Sequence, residues 1–124
     1  DSFVGLQFEN IVLNNYIDVC KVLNIGLTSV LNVGSYFQTE TARQKSCQID
    51  LIIQTKNTLY VCELKARREV DVSVIEEVKK KIKILKRPST LSVRTVLIYA
   101  GELNQEVVDE DYFDEIISFD RLLV

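Results

Sequence analysis

The chain has 124 residues, 47% of them hydrophobic, and a formal net charge of −3, which suits one domain with a full hydrophobic core and indicates no particular partner. It contains no histidine, so catalysis that needs an imidazole is excluded, including that of most serine and cysteine hydrolases and zinc enzymes. No stretch is apolar enough for a signal peptide or a membrane span, and we expect a cytoplasmic protein without membrane contact.

The first part of the chain predicts one helix and one strand. Apolar residues recur at near-helical spacing from Ser2, a candidate cap, to about Leu23, and Gly26 ends the pattern. Residues 29–37 predict a first strand, in which Gly34 is a candidate bulge. A polar loop is expected after it, over residues 40–46.

Two strongly apolar segments follow, residues 47–54 and 59–65. The four residues between them are typical of a turn, so the pattern predicts an antiparallel hairpin. Both segments are apolar on both faces, and we expect both strands to be covered on both sides. Three cysteines within apolar runs predict small buried hydrophobic residues in a reducing compartment, at positions Cys20, Cys47 and Cys62.

The second half predicts a helix over residues 69–86, since apolar residues recur there every three or four positions before Pro88. Residues 94–99 predict a buried strand with an exit at Gly101. A strand that follows a strand and a helix is expected to lie parallel to a neighbour through a right-handed crossover.

A short acidic helix or loop at 104–112 and a strand at 115–119 complete the chain. The predicted order is α-β-β-β-α-β-(α)-β, an α/β fold with a central mixed sheet flanked by helices. We expect a single domain over residues 1–124, excised from a longer protein.

Two carboxylates and one ammonium are expected to meet on the predicted hairpin. A turn centred on Lys56 and Asn57 would set Asp50 opposite Glu63, and Gln48 opposite Lys65. Directly opposed residues hold their Cβ atoms about 4.5–5.5 Å apart, and opposed like charges destabilise a sheet unless something neutralises them. A divalent cation would neutralise this pair of carboxylates.

The element order, with Asp50 and Glu63-x-Lys65 on adjacent strands, resembles the PD-(D/E)XK nuclease fold, the restriction-endonuclease-like core. The first-helix run Gly5-Leu6-Gln7-Phe8-Glu9, the strand Gln48-Ile49-Asp50-Leu51 and the strand Cys62-Glu63-Leu64-Lys65 are more closely similar to the C-terminal domain of archaeal and bacterial AAA-type ATPases. The resemblance covers essentially the whole chain. It implies an ATPase domain N-terminal to Asp1, since the chain itself has no P-loop sequence.

The resemblance implies phosphodiester hydrolysis, most simply of DNA, with Mg²⁺ or Mn²⁺ as the cofactor. Asp50, Glu63 and the backbone carbonyl of Leu64 would bind the metal, and Glu9 would assist through water or a second metal. Lys65 would position the attacking water or offset the developing charge. Gln48, expected across from Lys65, would orient it.

Basic residues are concentrated on one side of these carboxylates in the sequence. Nine of the fifteen lie between residues 65 and 87, while eight of the eighteen acidic residues lie between 102 and 120. This predicts one basic and one acidic zone on the same domain. The candidate nucleic-acid contacts are Gln48, Arg67, Arg68, Lys79, Lys80 and Lys83, and a solvated helix face is the alternative for the lysines.

Three alternatives to a nuclease stay open. Glu63 and Lys65 could form an ordinary ion pair on a strand surface, with Asp50 solvated. The fold could carry a degenerate site and serve only to bind nucleic acid or to regulate its ATPase. A plain interaction domain would bind neither metal nor nucleic acid and would present exposed apolar surface instead.

Overall fold

One five-stranded sheet forms the centre of the protein in a computed structural model that describes residues 3–123. The strands lie in the order β1-β2-β3-β4-β5, antiparallel for the first three and parallel for the last three. The predicted mixed α/β sheet flanked by helices is therefore confirmed. The elements are α1 (Phe3–Asn14), α2 (Tyr16–Val22), β1 (Asn32–Gln38), β2 (Cys47–Gln54), β3 (Thr58–Val70), α3 (Ser73–Ile84), β4 (Ser92–Leu103), α4 (Gln105–Asp109) and β5 (Glu115–Ser118).

The predicted first helix is two helices, because the chain turns at Asn15. The backbone N–H of Asn15 donates to the carbonyl of Ile11 over 3.1 Å, and its side-chain amide donates to the same carbonyl over 2.8 Å. Asparagine competes in this way for backbone partners inside helices. The predicted cap, Ser2, lies outside the described residues. The first strand begins at Asn32 rather than at 29, since Leu27–Ser29 forms a 3₁₀ turn.

The third strand is longer than predicted, and the helix after it is shorter. β3 does not end at residue 65 but pairs with β4 as far as Val70. Helix α3 therefore begins at Ser73, whose backbone N–H donates to the carboxylate of Asp71 over 2.9 Å, and it ends at Ile84. The parallel pairing of β3 with β4 agrees with the predicted crossover connection.

Gly101 lies inside β4 and is not the predicted exit, because the strand continues to Leu103. Its φ angle is +108°, and a Cβ atom at this position would lie 1.7 Å from the carbonyl oxygen of Arg67. Only glycine fits both the backbone conformation and this contact. The glycine therefore sets how closely β4 approaches the part of β3 that carries Arg67.

A β-bulge lies in β2, in the strand that carries Asp50. Gly34 of β1 pairs with Ile52. Two residues further along β1, Tyr36 pairs with Ile49, so one β1 residue faces two residues of β2, and the first of these is Asp50. The predicted irregularity at Gly34 is confirmed in position, but the extra residue belongs to the partner strand.

The bulge reverses which residues of β2 face each side of the sheet. Leu51 packs in a buried cluster with Phe8 of α1, whereas Ile49 packs with Leu85, which follows α3. In an uninterrupted strand these two residues would point to the same side. The alternation of β2 therefore changes at Asp50, between the layer of α1 and α2 and the layer of α3.

Two further predictions concern the burial of the three cysteines and the presence of a membrane-spanning helix. Cys20, Cys47 and Cys62 are free and buried, which confirms them as small core residues. Within residues 3–123, no helix is both long enough and apolar enough to cross a bilayer.

Candidate functional site

The hairpin has the predicted turn and register, but its ladder is shorter than expected. Leu51 pairs with Cys62, and the pairs continue toward the turn at Lys56 and Asn57. In the other direction, the ladder ends at the pair of Leu51 and Cys62. The direct pairing of Asp50 with Glu63 was therefore predicted wrongly, as was that of Gln48 with Lys65. The bulge separates the two strands at this point, and a cavity opens between them.

This acid cavity, as we call it, has a volume of about 580 Å³ and lies between the sheet, α1 and α3. It brings together most of the residues that the sequence singled out, although they do not form the predicted cross-strand pairs. The lining residues are Gly5, Glu9, Gln48, Asp50, Glu63, Leu64, Lys65, Ala66, Arg67, Glu77 and Lys81.

Asp50 is fixed by the backbone of β3. Its Oδ2 atom accepts a hydrogen bond of 3.0 Å from the backbone N–H of Leu64. A strand residue directs its N–H and its C=O to the same edge, so the carbonyl of Leu64 lies on the Asp50 side as well. Burial and the charge of Glu63 raise the pKa of Asp50 to about 6, although the hydrogen bond from Leu64 opposes the shift.

Glu63 is 1% exposed, and among the described residues it is the only charged side chain in the buried class. Its Oε1 atom lies 3.0 Å from the ammonium of Lys81, and its Oε2 atom lies 3.3 Å from that of Lys65. Removing a carboxylate and its charged partners from water costs free energy. Three apolar side chains of similar volume in place of Glu63, Lys65 and Lys81 would stabilise the fold at least as well. A buried, ion-paired carboxylate that lines a polar cavity is a candidate functional group.

Helix α3 contributes two site residues that sequence reasoning missed, Glu77 and Lys81. Glu77 binds the ammonium of Lys65 over 2.9 Å. Burial disfavours the charged form of Lys81, but Glu63, Asp50 and Glu77 outweigh this effect and raise its pKa. A signal existed in the sequence, since Lys81 follows the buried Val78 by three residues and so continues the apolar stripe.

Three other predicted residues border the acid cavity. Glu9 is half-buried on α1, and its charge contributes to the raised pKa of Asp50. Gln48 lines the cavity but is exposed, and Lys65 is bound by glutamates rather than by this amide. Arg67 lines the cavity at its outer end, beside Gly101.

The basic residues of 65–87 do not form the single zone that was predicted. Lys65 and Lys81 face the acid cavity. Lys79 lies 3.6 Å from Glu76 and 5.4 Å from the centre of the Tyr112 ring, outside that cavity. Arg67 also lines the acid cavity. Arg68 is exposed on β3, and Lys80, Lys83 and Lys86 line a separate groove.

The donor atoms of the acid cavity suit a hard divalent cation. Carboxylate and carbonyl oxygens are the ligands that Mg²⁺ prefers, and Asp50, Glu63 and Leu64 supply them. Within residues 3–123, no three acidic or cysteine side chains already lie close enough together to hold a metal ion. Both carboxylate oxygens of Glu63 are bound to lysines, so a metal ion that binds Oε1 would compete with Lys81 for this atom.

Asp50→Asn is expected to stabilise the metal-free protein at neutral pH. Below about pH 4 the carboxyl is protonated in both the folded and the unfolded chain, so burial adds no charge penalty. Between the unfolded value near 4 and the folded pKa of about 6, the wild type progressively loses stability. The full loss above pH 6 is about 2–3 kcal/mol, and asparagine, which can still accept the Leu64 hydrogen bond, avoids it.

Urea denaturation of both proteins with EDTA, at pH 4.5 and at pH 7.5, measures this difference. The advantage of Asp50→Asn should grow between the two pH values. A variant that is less stable than the wild type at pH 7.5 would show that Asp50 carries no burial penalty.

The fold and the acid cavity define an α/β protein with a mixed five-stranded sheet and a buried carboxylate beside two lysines. No protein-family model matches the sequence, and no curated protein matches it significantly. Among solved structures, the crystal structure of protein VC1899 from Vibrio cholerae is similar, with a TM-score of 0.65 and 16% identity. The match covers 92% of this chain and 30% of that one, and at this identity it shows a shared fold alone.

Proposed function

We propose that the chain is a metal-dependent nuclease-like domain with a restriction-endonuclease-like core, which hydrolyses phosphodiester bonds of DNA. The observation that carries this proposal is the fully buried Glu63 carboxylate in a polar cavity, with Asp50 and Lys65 beside it. The bulge in β2 adds support, because bulges next to active sites commonly redirect a side chain.

Each residue of the acid cavity has a distinct role under this proposal. Mg²⁺ or Mn²⁺, when bound, stabilises charge on the phosphate oxygens and activates a water molecule. Asp50, Glu63 and the Leu64 carbonyl would hold the ion, and Glu9 would contact it through water. Lys65, held by Glu63 and Glu77, would orient the attacking water and offset developing charge.

Substrate contacts are proposed for basic and polar groups around the acid cavity. Arg67 and Gln48 line its rim and are placed to meet phosphates of a bound strand. The more distant candidates predicted from the sequence remain Arg68, Lys79, Lys80 and Lys83. We further propose that the partner of this domain is an ATPase domain of the same longer protein, in the cytoplasm.

One observation favours an alternative, a catalytically inactive module that binds nucleic acid or regulates the ATPase. Lys81 already neutralises Glu63 at 3.0 Å, as an internal cation would in a degenerate site. Under this alternative the lysine stays in place, and Asp50→Asn leaves nucleic-acid binding unchanged.

Cleavage assays on plasmid and on single-stranded DNA, with Mg²⁺, Mn²⁺ or EDTA, test the proposal. Cleavage that appears with metal and disappears with EDTA is expected. If neither substrate is cut with either metal while DNA is still bound, the binding module is the correct description.

A further inference from the structure

A second polar site lies outside the acid cavity, between residues 40–46 and the C-terminal half of α3. We propose that this basic groove, of about 920 Å³, binds the phosphate backbone of a nucleic-acid strand. The proposal deepens the proposed function, on which it rests only for DNA as the ligand. Its basic side chains are Arg43, Lys45, Lys80, Lys83 and Lys86.

The charges of the basic groove are exposed and uncompensated. All five basic residues are exposed, and the groove contains a single acidic residue, Glu40. In the described part of the chain, none of the five takes part in a salt bridge, whereas Lys79 and Lys81 of the same helix are both paired. In a chain with a net charge of −3, such a local excess of free cations favours a polyanionic ligand.

One buried amide holds the two walls of the groove together. Gln38, which is 3% exposed at the end of β1, donates from Nε2 to the carbonyl of Lys45 over 2.8 Å and to that of Ile84 over 3.2 Å. Its Oε1 atom accepts from the backbone N–H of Lys86 over 2.8 Å. The loop and the end of α3 are therefore fixed relative to each other before any ligand binds, which lowers the entropic cost of binding.

The place of the groove fits a strand rather than a single phosphate. Lys80 and Lys83 lie three residues apart on α3 and are therefore neighbours on one side of the helix. The groove also borders the acid cavity, because Lys80 lines the groove and its neighbour Lys81 lines the cavity. On the other wall, Ser46 lines the groove and Gln48, two residues further along the chain, lines the acid cavity.

The test measures binding of a short fluorescent DNA duplex and of the matching single strand in EDTA, so that no cleavage interferes. The variant is Lys80→Gln with Lys83→Gln. Its matched control is Lys21→Gln with Lys56→Gln, which removes the same charge from exposed lysines outside the groove. Anisotropy is followed between about 50 and 200 mM salt, where each phosphate contact steepens the dependence of log K on log salt by about 0.9 for the duplex and about 0.7 for the single strand.

The groove variant is expected to bind at least one of the two DNA forms roughly 10- to 100-fold more weakly near 0.1 M salt, with a salt slope lower by about 2. The control should keep both the affinity and the slope. Equal losses in the two double variants, or no DNA binding by the wild type, would overturn the groove proposal.

Failure of this proposal and failure of the proposed function are distinguishable. If the wild type cleaves DNA with metal and the variant with Lys80→Gln and Lys83→Gln binds DNA as the wild type does, the nuclease proposal stands and the groove proposal fails. If the variant loses DNA binding and the wild type does not cleave, the groove proposal stands and the nuclease proposal fails.

Discussion

Asp50→Asn and Glu63→Gln are each expected to lower metal-dependent DNA cleavage by at least about 1000-fold. Both changes remove a negative charge from the acid cavity and keep the shape of the side chain. The amide that replaces either carboxylate is a weaker ligand for a hard cation. Cleavage rates at saturating metal, measured on plasmid DNA, give the comparison.

Matched controls separate this effect from a general loss of charge. Asp109→Asn and Glu76→Gln make the same chemical changes at exposed positions of α4 and α3, outside the acid cavity, and should cleave as the wild type does. If Asp50→Asn retains wild-type activity, the catalytic centre lies elsewhere in the protein.

Lys81→Met is expected to destabilise the metal-free protein by about 2–4 kcal/mol at pH 7.5, because breaking a buried ion pair leaves the carboxylate of Glu63 only partly compensated. Glu63, whose side chain is 2% exposed, would retain only Lys65 at 3.3 Å. Methionine keeps most of the apolar stem of the lysine, so lost packing contributes little. Urea denaturation in EDTA measures the loss.

The same variant should recover stability with Mg²⁺ or Mn²⁺ more strongly than the wild type does. A divalent ion replaces the missing cation, and it no longer competes with Lys81 for the Oε1 atom of Glu63. Lys79→Met is the control, because its exposed pair with Glu76 is worth only a few tenths of a kcal/mol. Equal metal effects on the wild type and on Lys81→Met would show that Lys81 does not occupy the place of a metal.

Local sequence patterns predicted most of the helices and strands, and they predicted that Glu63 and Lys65 share one side of their strand. The turn at Lys56 and Asn57 and the alternation of apolar residues gave the hairpin its correct register near the turn. Glu63 and Lys65 were placed on one face because strand side chains alternate, and both now line the acid cavity. These features depend on residues close together in the chain.

The missed features depend on partners distant in the chain. β3 continues to Val70 because β4 lies beside it, and no pattern within residues 66–70 indicates this pairing. The bulge at Asp50 is a property of the pairing with β1, so it is absent from the sequence of β2 alone. Lys81 was not singled out from the sequence, because three consecutive lysines obscure which one follows the apolar stripe.

Calorimetric titration of Mn²⁺ or Mg²⁺ into the wild type and into Asp50→Asn tests the central claim, that the acid cavity is a divalent-metal site. The account predicts saturable binding by the wild type, weakened strongly in Asp50→Asn. Absence of binding at millimolar metal, or equal binding by both proteins, would contradict it and leave Lys81 as the permanent counter-ion of Glu63.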